Sequence, residues 1–156
     1  KRQHNVNVKV IRIFNTYGPR MQINDGRVVS NFIVQALTNK DITVYGDGSQ
    51  TRSFCYVDDL VDGIFKIMNQ DYCGPINLGN PNEIKIKDLA YLVAKKIGYS
   101  GKILWDSSKP DGTPRKLLDI SRLSSLGWKP LISLEDGIED TINFYLEDLK
   151  MKKVRN

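Results

Sequence analysis

The sequence predicts an α/β fold, in which strands and helices alternate along 156 residues. Three observations support this prediction. Residues 7–14 form a mostly apolar run that stops at Tyr17-Gly18-Pro19, a combination that breaks regular structure. Residues 28–37 carry apolar side chains at a helical period. Short apolar runs and helical patterns then follow one another to the end of the chain, which is the order that produces α/β folds.

The elements of the first half follow from local patterns. Residues 7–14 are expected to form a strand covered on both faces, as in a parallel sheet. A helix over 28–37 precedes strands at 42–45 and 52–57, which flank the turn Gly46-Asp47-Gly48-Ser49. Asp58 or Asp59 is expected to cap the next helix. The apolar face of that helix would consist of Leu60, Val61, Ile64, Phe65, Ile67 and Met68.

The second half is interpreted in the same way. A strand over 75–78 ends at Gly79-Asn80-Pro81, and a helix over 86–97 ends at Gly98. A strand at 102–105 leads into a polar loop, 107–113, that contains Gly and Pro. Ser121 opens a short helix that ends at Leu126-Gly127-Trp128. Ser133 caps the last helix, whose buried face is predicted to be Ile138, Ile142 and Tyr145. No internal domain boundary is evident.

Composition excludes several classes of function. No apolar run approaches the roughly 20 residues of a membrane helix, and no secretory signal pattern is present. Nucleic acid is not an expected partner, because no aromatic residues interleave with the basic run at 150–155. Cys55 is expected to be a buried free thiol, and two cysteines do not make a zinc site, so no metal is predicted. Reduced thiols favour a cytoplasmic location.

Two polar residues stand where α/β proteins bind ligands. Asn15 ends the first strand, and ligands lie beyond the carboxyl ends of strands in open sheets. Its alternative role is to cap the turn. Arg52 follows the glycine turn and is suited to a bidentate contact with a phosphate. Its alternative is a surface salt bridge to Asp58 or Asp59. The nearest match to a glycine-rich phosphate loop, at 46–51, lacks a third glycine and precedes a strand, so it is rejected.

Three stretches carry a family resemblance. They are Arg12-Ile13-Phe14-Asn15-Thr16-Tyr17-Gly18-Pro19-Arg20, then Asp25-Gly26-Arg27-Val28-Val29-Ser30-Asn31, then Thr51-Arg52-Ser53-Phe54-Cys55-Tyr56-Val57-Asp58-Asp59. Over residues 8–145 the chain resembles the carboxyl-terminal half of the extended short-chain dehydrogenase/reductase family, above all its UDP-glucuronate decarboxylases. The stretch 109–119 resembles GDP-fucose synthases instead, which leaves the substrate open.

The resemblance implies the carboxyl-terminal part of a Rossmann-type fold, with late sheet strands and a small mixed α/β substrate domain. Residues 1–156 would form one carboxyl-terminal nucleotide-sugar-binding portion, and the amino-terminal dinucleotide-binding half would be absent. The implied partners are that missing half, a nucleotide sugar, most readily a UDP-sugar, and a second copy in a homodimer of the intact enzyme.

The function implied is that of the substrate-binding part of an NAD-dependent enzyme. In the decarboxylases, UDP-glucuronate gives UDP-xylose through a 4-keto intermediate. The alternatives are a dTDP-glucose 4,6-dehydratase, a UDP-sugar 4-epimerase, an enzyme of the GDP-fucose synthase type, or a nucleotide-binding module without catalysis.

The resemblance also implies roles for single residues. Asn15 would contact the nucleotide sugar, Arg52 its diphosphate, and Tyr45 its base by stacking, unless Tyr45 is a core residue. Thr16 would lie by the nicotinamide end of NAD, and Arg27 near the cofactor, unless Arg27 is only an exposed residue at a helix start. Arg115 would reach the phosphates or the sugar from a mobile loop, unless it is an unpaired surface charge. It is also the one weak catalytic candidate.

The family's proton-transfer pair is Tyr-x-x-x-Lys on a helix. The only such spacing here, Tyr91 to Lys95, lies far downstream of the expected place. An i, i+4 pair on a surface helix is common. No catalytic residue is therefore expected in this chain, and the chain alone is expected to be inactive.

Overall fold

The computed structural model describes residues 3–4, 6–72, 74–109 and 112–154, with side chains described as far as residue 150. The first half contains β1 (Val10–Ile13), β2 (Thr16–Tyr17), α1 (Val28–Leu37), β3 (Ile42–Tyr45), β4 (Thr51–Ser53), β5 (Cys55–Tyr56) and α2 (Val57–Met68). The second half contains β6 (Pro75–Leu78), β7 (Glu83–Lys85), α3 (Ile86–Ile97), β8 (Ile103–Asp106), β9 (Arg115–Lys116), α4 (Ser121–Ser125) and α5 (Leu134–Val154).

Within the described residues the strands form four small sheets, and most of their pairs are parallel. β1 pairs with β6, β2 with β5, and β3 with β8, each in parallel. The three-stranded sheet has β4 at its centre, antiparallel to β7 and parallel to β9. Parallel pairs need long crossovers, and here the helices supply them, as the sequence pattern predicts for an α/β fold.

The buried side chains fall into two clusters. The larger one joins α1, α3 and α5 to β3, with Phe32, Ile33, Ile42, Leu89 and Ile138 at its centre. The smaller one joins α2, β6 and α4 around Leu60, Ile67, Ile76, Leu78, Leu123 and Trp128. The segment from β4 to β5 contributes to both clusters, since Phe54 belongs to the larger one and Cys55 to the smaller one. Arg52 lies on this segment, and Asn15 is bonded to it through the Ser53 carbonyl.

Several predicted elements are confirmed. The helix at 28–37 and the strands at 42–45 and 75–78 have the predicted bounds. The helix at 86–97 does too, and Gly98 ends it in the left-handed conformation, with φ of 71°. Ser133 caps α5, since its Oγ accepts a hydrogen bond from the Asp136 amide at 3.1 Å. Ile138, Ile142 and Tyr145 are buried.

Three details differ from the prediction. The strand at 52–57 is divided, because β4 and β5 pair with different neighbours on either side of Phe54. The strand β1 is not covered on both faces, because Val10 and Ile13 are about half exposed. The strand predicted at 102–105 spans Ile103–Asp106.

The start of α2 also differs. Tyr56 occupies the N-cap position without a side-chain hydrogen bond, and Asp58 and Asp59 lie in the first turn. There they complement the helix dipole. The buried Asp59 carboxylate accepts hydrogen bonds from the amides of Leu131 and Ile132, each at 3.0 Å. Leu60 and Ile67 are buried as predicted, but Val61, Phe65 and Met68 are exposed.

Candidate functional site

A pocket of about 350 Å³ lies where the end of β1, the start of α1 and the strands β3 and β4 meet. This volume is within the range of small-molecule sites. Its wall contains both apolar and polar side chains. The residues that line it are Asn15, Thr16, Met21, Gly26, Arg27, Val28, Val29, Asn31, Phe32, Gln35, Thr43, Tyr45, Gln50, Arg52, Phe54, Ile86 and Gly112.

Asn15 and Thr16 enter the pocket because the chain turns between β1 and β2. The Asn15 side-chain amide donates to the Ser53 carbonyl at 2.9 Å and so ties this turn to β4. Thr16 Oγ1 donates to the Phe14 carbonyl at 2.9 Å. Both side chains are only partly buried, so each has surface left for a ligand. The Asn15 amide therefore has a structural role in addition to the predicted ligand contact.

Arg27 is at the N-cap position of α1, and its extended backbone places it on the rim of the pocket. Its Nε lies 3.2 Å from Asp25 Oδ2, and about two thirds of its side chain is exposed. An exposed ion pair of this kind contributes little to stability. The guanidinium can therefore exchange Asp25 for another anion at small cost.

Tyr45 ends β3 and lies on the pocket rim with 51% of its surface exposed. The alternative that Tyr45 is a core residue is therefore wrong.

The turn that follows Tyr45 is compact. Asp47 Oδ1 accepts from the Ser49 amide at 2.8 Å, and the hydrogen bonds from Ser49 lower the pKa of the Asp47 carboxyl. At Gly48, with φ of +67°, an added β-carbon would lie 2.9 Å from Lys87 Cβ and the Trp105 ring, so this turn has room for glycine only.

Arg52 lies on β4, the central strand, and lines the pocket. Its Nη1 donates to the Thr51 carbonyl at 2.7 Å. Within the described residues it makes no ion pair, so the salt bridge to Asp58 or Asp59 is not formed. A β-carbon on Gly112 would lie 3.4 Å from Arg52 Nη2, so the loop before β9 lies beside the guanidinium. Among the described residues, the other N–H groups of Arg52 have no partner that would compete with an anion.

Arg115 is located differently from the prediction. It lies in strand β9 rather than in the loop, because its backbone pairs with Thr51. Its Nη2 donates to Glu83 Oε2 at 2.6 Å and its Nε at 2.9 Å, while Thr51 Oγ1 donates to Glu83 Oε1 at 2.7 Å. The alternative that Arg115 is an unpaired surface charge is therefore also wrong. These hydrogen bonds, that of Arg115 first, lower the pKa of Glu83.

Lys116, which follows Arg115 in the chain, lies on the other face of the sheet. Lys116 is opposite Arg52 in the parallel register, and residues opposite one another share a face of a sheet. Its Nζ lies 5.6 Å from the centroid of the Phe14 ring, one residue before Asn15. Lys116 is thus on the Arg52 face, whereas Arg115, Thr51 and Glu83 are on the opposite face. The loop predicted at 107–113 includes Pro110 and Asp111, which lie outside the described residues.

Three other described groups, Tyr91, Cys55 and Tyr17, do not line the pocket. Tyr91 is 56% exposed on α3 and is not a lining residue. Cys55 is buried and free, as predicted, and its burial raises the pKa of the thiol to about 12. Burial also raises the pKa of Tyr17, which packs edge-on against Phe54 and Tyr56. Cys73 lies outside the described residues.

The pocket thus brings together Asn15, Thr16, Arg27, Tyr45 and Arg52, and it leaves out Arg115. Sequence reasoning missed Gln35, Thr43 and Gln50, which supply polar groups to the wall. For Gln50 the sequence contained a usable signal. In an extended chain, residues two apart point to the same side, so Gln50 is expected on the same side as Arg52. None of the helices in the described part of the chain is long and apolar enough to cross a membrane.

Comparison with known proteins gives the affiliation. Residues 1–79 match the model of the NAD dependent epimerase/dehydratase family. Among curated proteins, UDP-glucuronic acid decarboxylase 1 of Xenopus tropicalis is 47% identical over 150 residues, which are 96% of this chain and 36% of the relative. UDP-glucuronic acid decarboxylase 5 of Arabidopsis thaliana is 49% identical over 138 residues, which are 88% of this chain and 40% of the relative. The chain therefore spans well under half the length of these relatives.

Solved structures agree with the fold. UDP-glucose 4-epimerase of Thermotoga maritima, solved with UDP-glucose, superposes with a TM-score of 0.88 at 27% identity, covering 95% of this chain and 48% of that one. UDP-glucuronic acid 4-epimerase of Bacillus cereus, solved with UDP-glucuronic acid and NAD, gives 0.82 at 29% identity, covering 94% and 47%. The matched family model extends over β1, the β1–β2 turn and the whole segment from α1 to β6, which includes nearly every residue of the pocket. The chain belongs to the NAD dependent epimerase/dehydratase family.

Proposed function

We propose that this chain is the nucleotide-sugar-binding part of an NAD-dependent enzyme that modifies UDP-sugars, and that the reaction is the decarboxylation of UDP-glucuronate to UDP-xylose. The observation that carries the proposal is that Asn15, Tyr45 and Arg52 line one and the same pocket. These three side chains suit the three parts of the ligand, namely the sugar, the base and the diphosphate.

The chemistry of each contact supports this assignment. The half-exposed ring of Tyr45 at the rim offers a stacking surface for a base. Arg52 presents a planar set of N–H donors, which suits a diphosphate because two of them can bind two phosphate oxygens at once. Asn15 adds an amide that accepts as well as donates, as sugar hydroxyls require.

The cofactor would be NAD, at the Thr16 and Arg27 wall. These residues fit that part of a dinucleotide, since a hydroxyl and an exchangeable guanidinium line the same pocket as Asn15. When bound, NAD supplies a hydride acceptor for the sugar. The chain's own contribution would be to orient the sugar and neutralise the diphosphate. We place no catalytic acid or base in this chain.

The sequence identities of the relatives favour decarboxylation over the other reactions of the family. The curated decarboxylases above are 47% and 49% identical to this chain, whereas the 4-epimerases of known structure are 27% and 29% identical. For Arg115, contact with a phosphate or the sugar would require release of Glu83, which engages it now. Lys116 faces the Arg52 side without such a change.

The test is UDP binding by calorimetry in the complete protein that carries this chain. Loss of the Arg52 contact in Arg52→Ala should weaken binding by roughly 2–5 kcal/mol. Arg12→Ala is the matched control, because Arg12 is exposed on β1 and does not line the pocket. Equal affinity of Arg52→Ala and wild type would exclude the diphosphate assignment.

A second assay addresses the reaction. With NAD and UDP-glucuronate, the complete protein should release CO₂ and form UDP-xylose, and Arg52→Ala should not do so at the same substrate concentration. Release of a 4-epimer without CO₂ would replace decarboxylation by epimerisation. UDP binding without any turnover would favour the nucleotide-binding module.

A further inference from the structure

A second cavity lies where β1 and β6 meet α4, and it shares no lining residue with the pocket described above. Its volume of about 610 Å³ is within the range of small-molecule sites. Two arginines line it, Arg12 on β1 and Arg122 on α4, together with Pro75, Asn77 and Asp119. The proposed function makes no use of these two guanidinium groups.

Arg122 is held in place before any ligand arrives. Its Nη1 donates to the Pro75 carbonyl at 2.9 Å. Its guanidinium carbon lies 4.9 Å from the centroid of the Tyr72 ring, which is the distance of a cation–π contact. A side chain that is already held in this way loses little conformational freedom when it binds a ligand.

Arg12 is not engaged in the same manner. It is exposed, and in the described part of the chain its side chain makes no hydrogen bond or ion pair. Arg12 is opposite Asn77 in the parallel register, so the two share a face of the sheet. Asn77 Nδ2 donates to the Asp119 carbonyl at 2.8 Å. This bond fixes the segment that leads to Arg122 against the sheet face that carries Arg12.

The charges of the cavity do not cancel. Asp119 is the acidic residue among its described lining, and its Oδ1 accepts from the Ser121 amide at 2.8 Å. The hydrogen bonds from Ser121 lower the pKa of the Asp119 carboxyl, so this group is ionised at neutral pH. Two guanidinium groups and one carboxylate therefore leave one positive charge without compensation in the described lining.

We infer that this cavity is an anion site, which binds the phosphate group of a small molecule between Arg12 and Arg122. A phosphate has enough oxygens for bidentate contacts with two guanidinium groups at once. A carboxylate has two oxygens, which one guanidinium can occupy, so it would leave the second arginine without a partner. The inference is independent of the proposed function, because the two cavities share no residue.

The experiment titrates the complete protein with inorganic phosphate at constant ionic strength and follows the broadening of the phosphorus NMR line. Wild type should broaden this line in a saturable way. Arg12→Gln and Arg122→Gln should each weaken the affinity roughly tenfold, as expected for the loss of hydrogen bonds to a charged group. Arg12→Lys keeps the charge but not the planar set of donors, so it should weaken binding less than Arg12→Gln does.

Two controls locate the bound phosphate. Arg20→Gln removes the same charge from an exposed residue that lines neither cavity, and it should bind phosphate as wild type does. Equal weakening by Arg20→Gln and Arg12→Gln would overturn the site, because attraction by the net charge would then explain the binding. Arg52→Ala tests the first pocket. Binding that is lost in Arg52→Ala and kept in Arg12→Gln would also overturn the site.

Competition identifies the ligand. Glycerol phosphate should displace inorganic phosphate, whereas acetate at the same concentration should not. Displacement by acetate alone would replace the phosphate group by a carboxylate and overturn the choice of ligand. Displacement by neither would restrict the site to free phosphate and overturn the small-molecule part of the inference. Arg12 is exposed, so its variants decide the question even if Arg122→Gln does not fold.

Discussion

Replacement of Gly137 by alanine tests how closely α5 packs against the turn that carries the pocket. Gly137 lies in the first part of α5, opposite the rings of Tyr17 and Tyr56. A β-carbon there would lie 2.2 Å from the Tyr17 hydroxyl and 2.7 Å from Tyr56 Cδ2. Tyr17 directly follows Thr16, so any displacement of its ring begins one residue from the pocket wall.

The magnitude follows from two opposing effects. A non-bonded carbon and oxygen must be more than about 3 Å apart, so the Tyr17 ring would have to move by about 1 Å. The ring has little room to do so, because Tyr17 is only 2% exposed. Such overpacking costs about 1–3 kcal/mol, and two rigid rings place this case near the upper end. Alanine in a helix returns about 1 kcal/mol relative to glycine. We therefore expect a net destabilisation of about 2 kcal/mol, or roughly 4–8 °C in Tm.

The assay is urea unfolding followed by tryptophan fluorescence, with the double variant Gly137→Ala/Tyr17→Phe as the control. Removal of the hydroxyl eliminates the closest contact and leaves Tyr17 Cζ at 2.9 Å, so the double variant should recover part of the loss. Tyr17→Phe alone should be nearly neutral, because the hydroxyl's bond to the Leu134 carbonyl is long, at 3.5 Å. A Gly137→Ala variant as stable as wild type would refute this account of the packing.

Three further predictions concern the sheet around Arg52 and the chemistry of the chain. Lys116→Ala should weaken UDP binding in the complete protein more than Arg115→Ala does, since Lys116 shares the Arg52 face; the opposite order in calorimetry would contradict the register argument. The pKa of Glu83 is lowered in the folded chain, so its pairing with Arg115 stabilises fully above the ordinary value of 4.5 and is lost as the pH falls through the folded value. The difference in urea midpoint between wild type and Glu83→Gln should therefore shrink in acid, and a pH-independent difference would count against the pair. The 156-residue chain alone should release no CO₂ from UDP-glucuronate with NAD, because Tyr91 is exposed on α3 and does not line the pocket; release above that of Tyr91→Phe would show that the catalytic group was misplaced.

Elements with strong local patterns could be predicted closely. The helix at 28–37 has apolar residues at a helical period and follows Gly26. The helix at 86–97 ends at Gly98, because glycine readily adopts the left-handed backbone conformation that ends a helix. These signals lie within a few residues of the boundary they define. β7 and β9 were not predicted, because two or three residues such as Arg115-Lys116 form a strand only when β4 lies beside them.

The sequence by itself determined the α/β order of elements and, through its motifs, part of the pocket lining, namely Asn15, Thr16, Arg27, Tyr45 and Arg52. Asn15 follows β1, Tyr45 ends β3 beside the glycine turn, and Arg52 lies in the strand that follows that turn, and such positions can be recognised along the chain. Only the tertiary structure decided that Lys116 shares the Arg52 face of the sheet and that Arg115 is neutralised by Glu83. Glu83 is 32 residues from Arg115, and Ile86, which bonds the Gln50 carbonyl, is 36 residues from Gln50. Partners at such distances are set by strand register and packing, which local sequence does not encode.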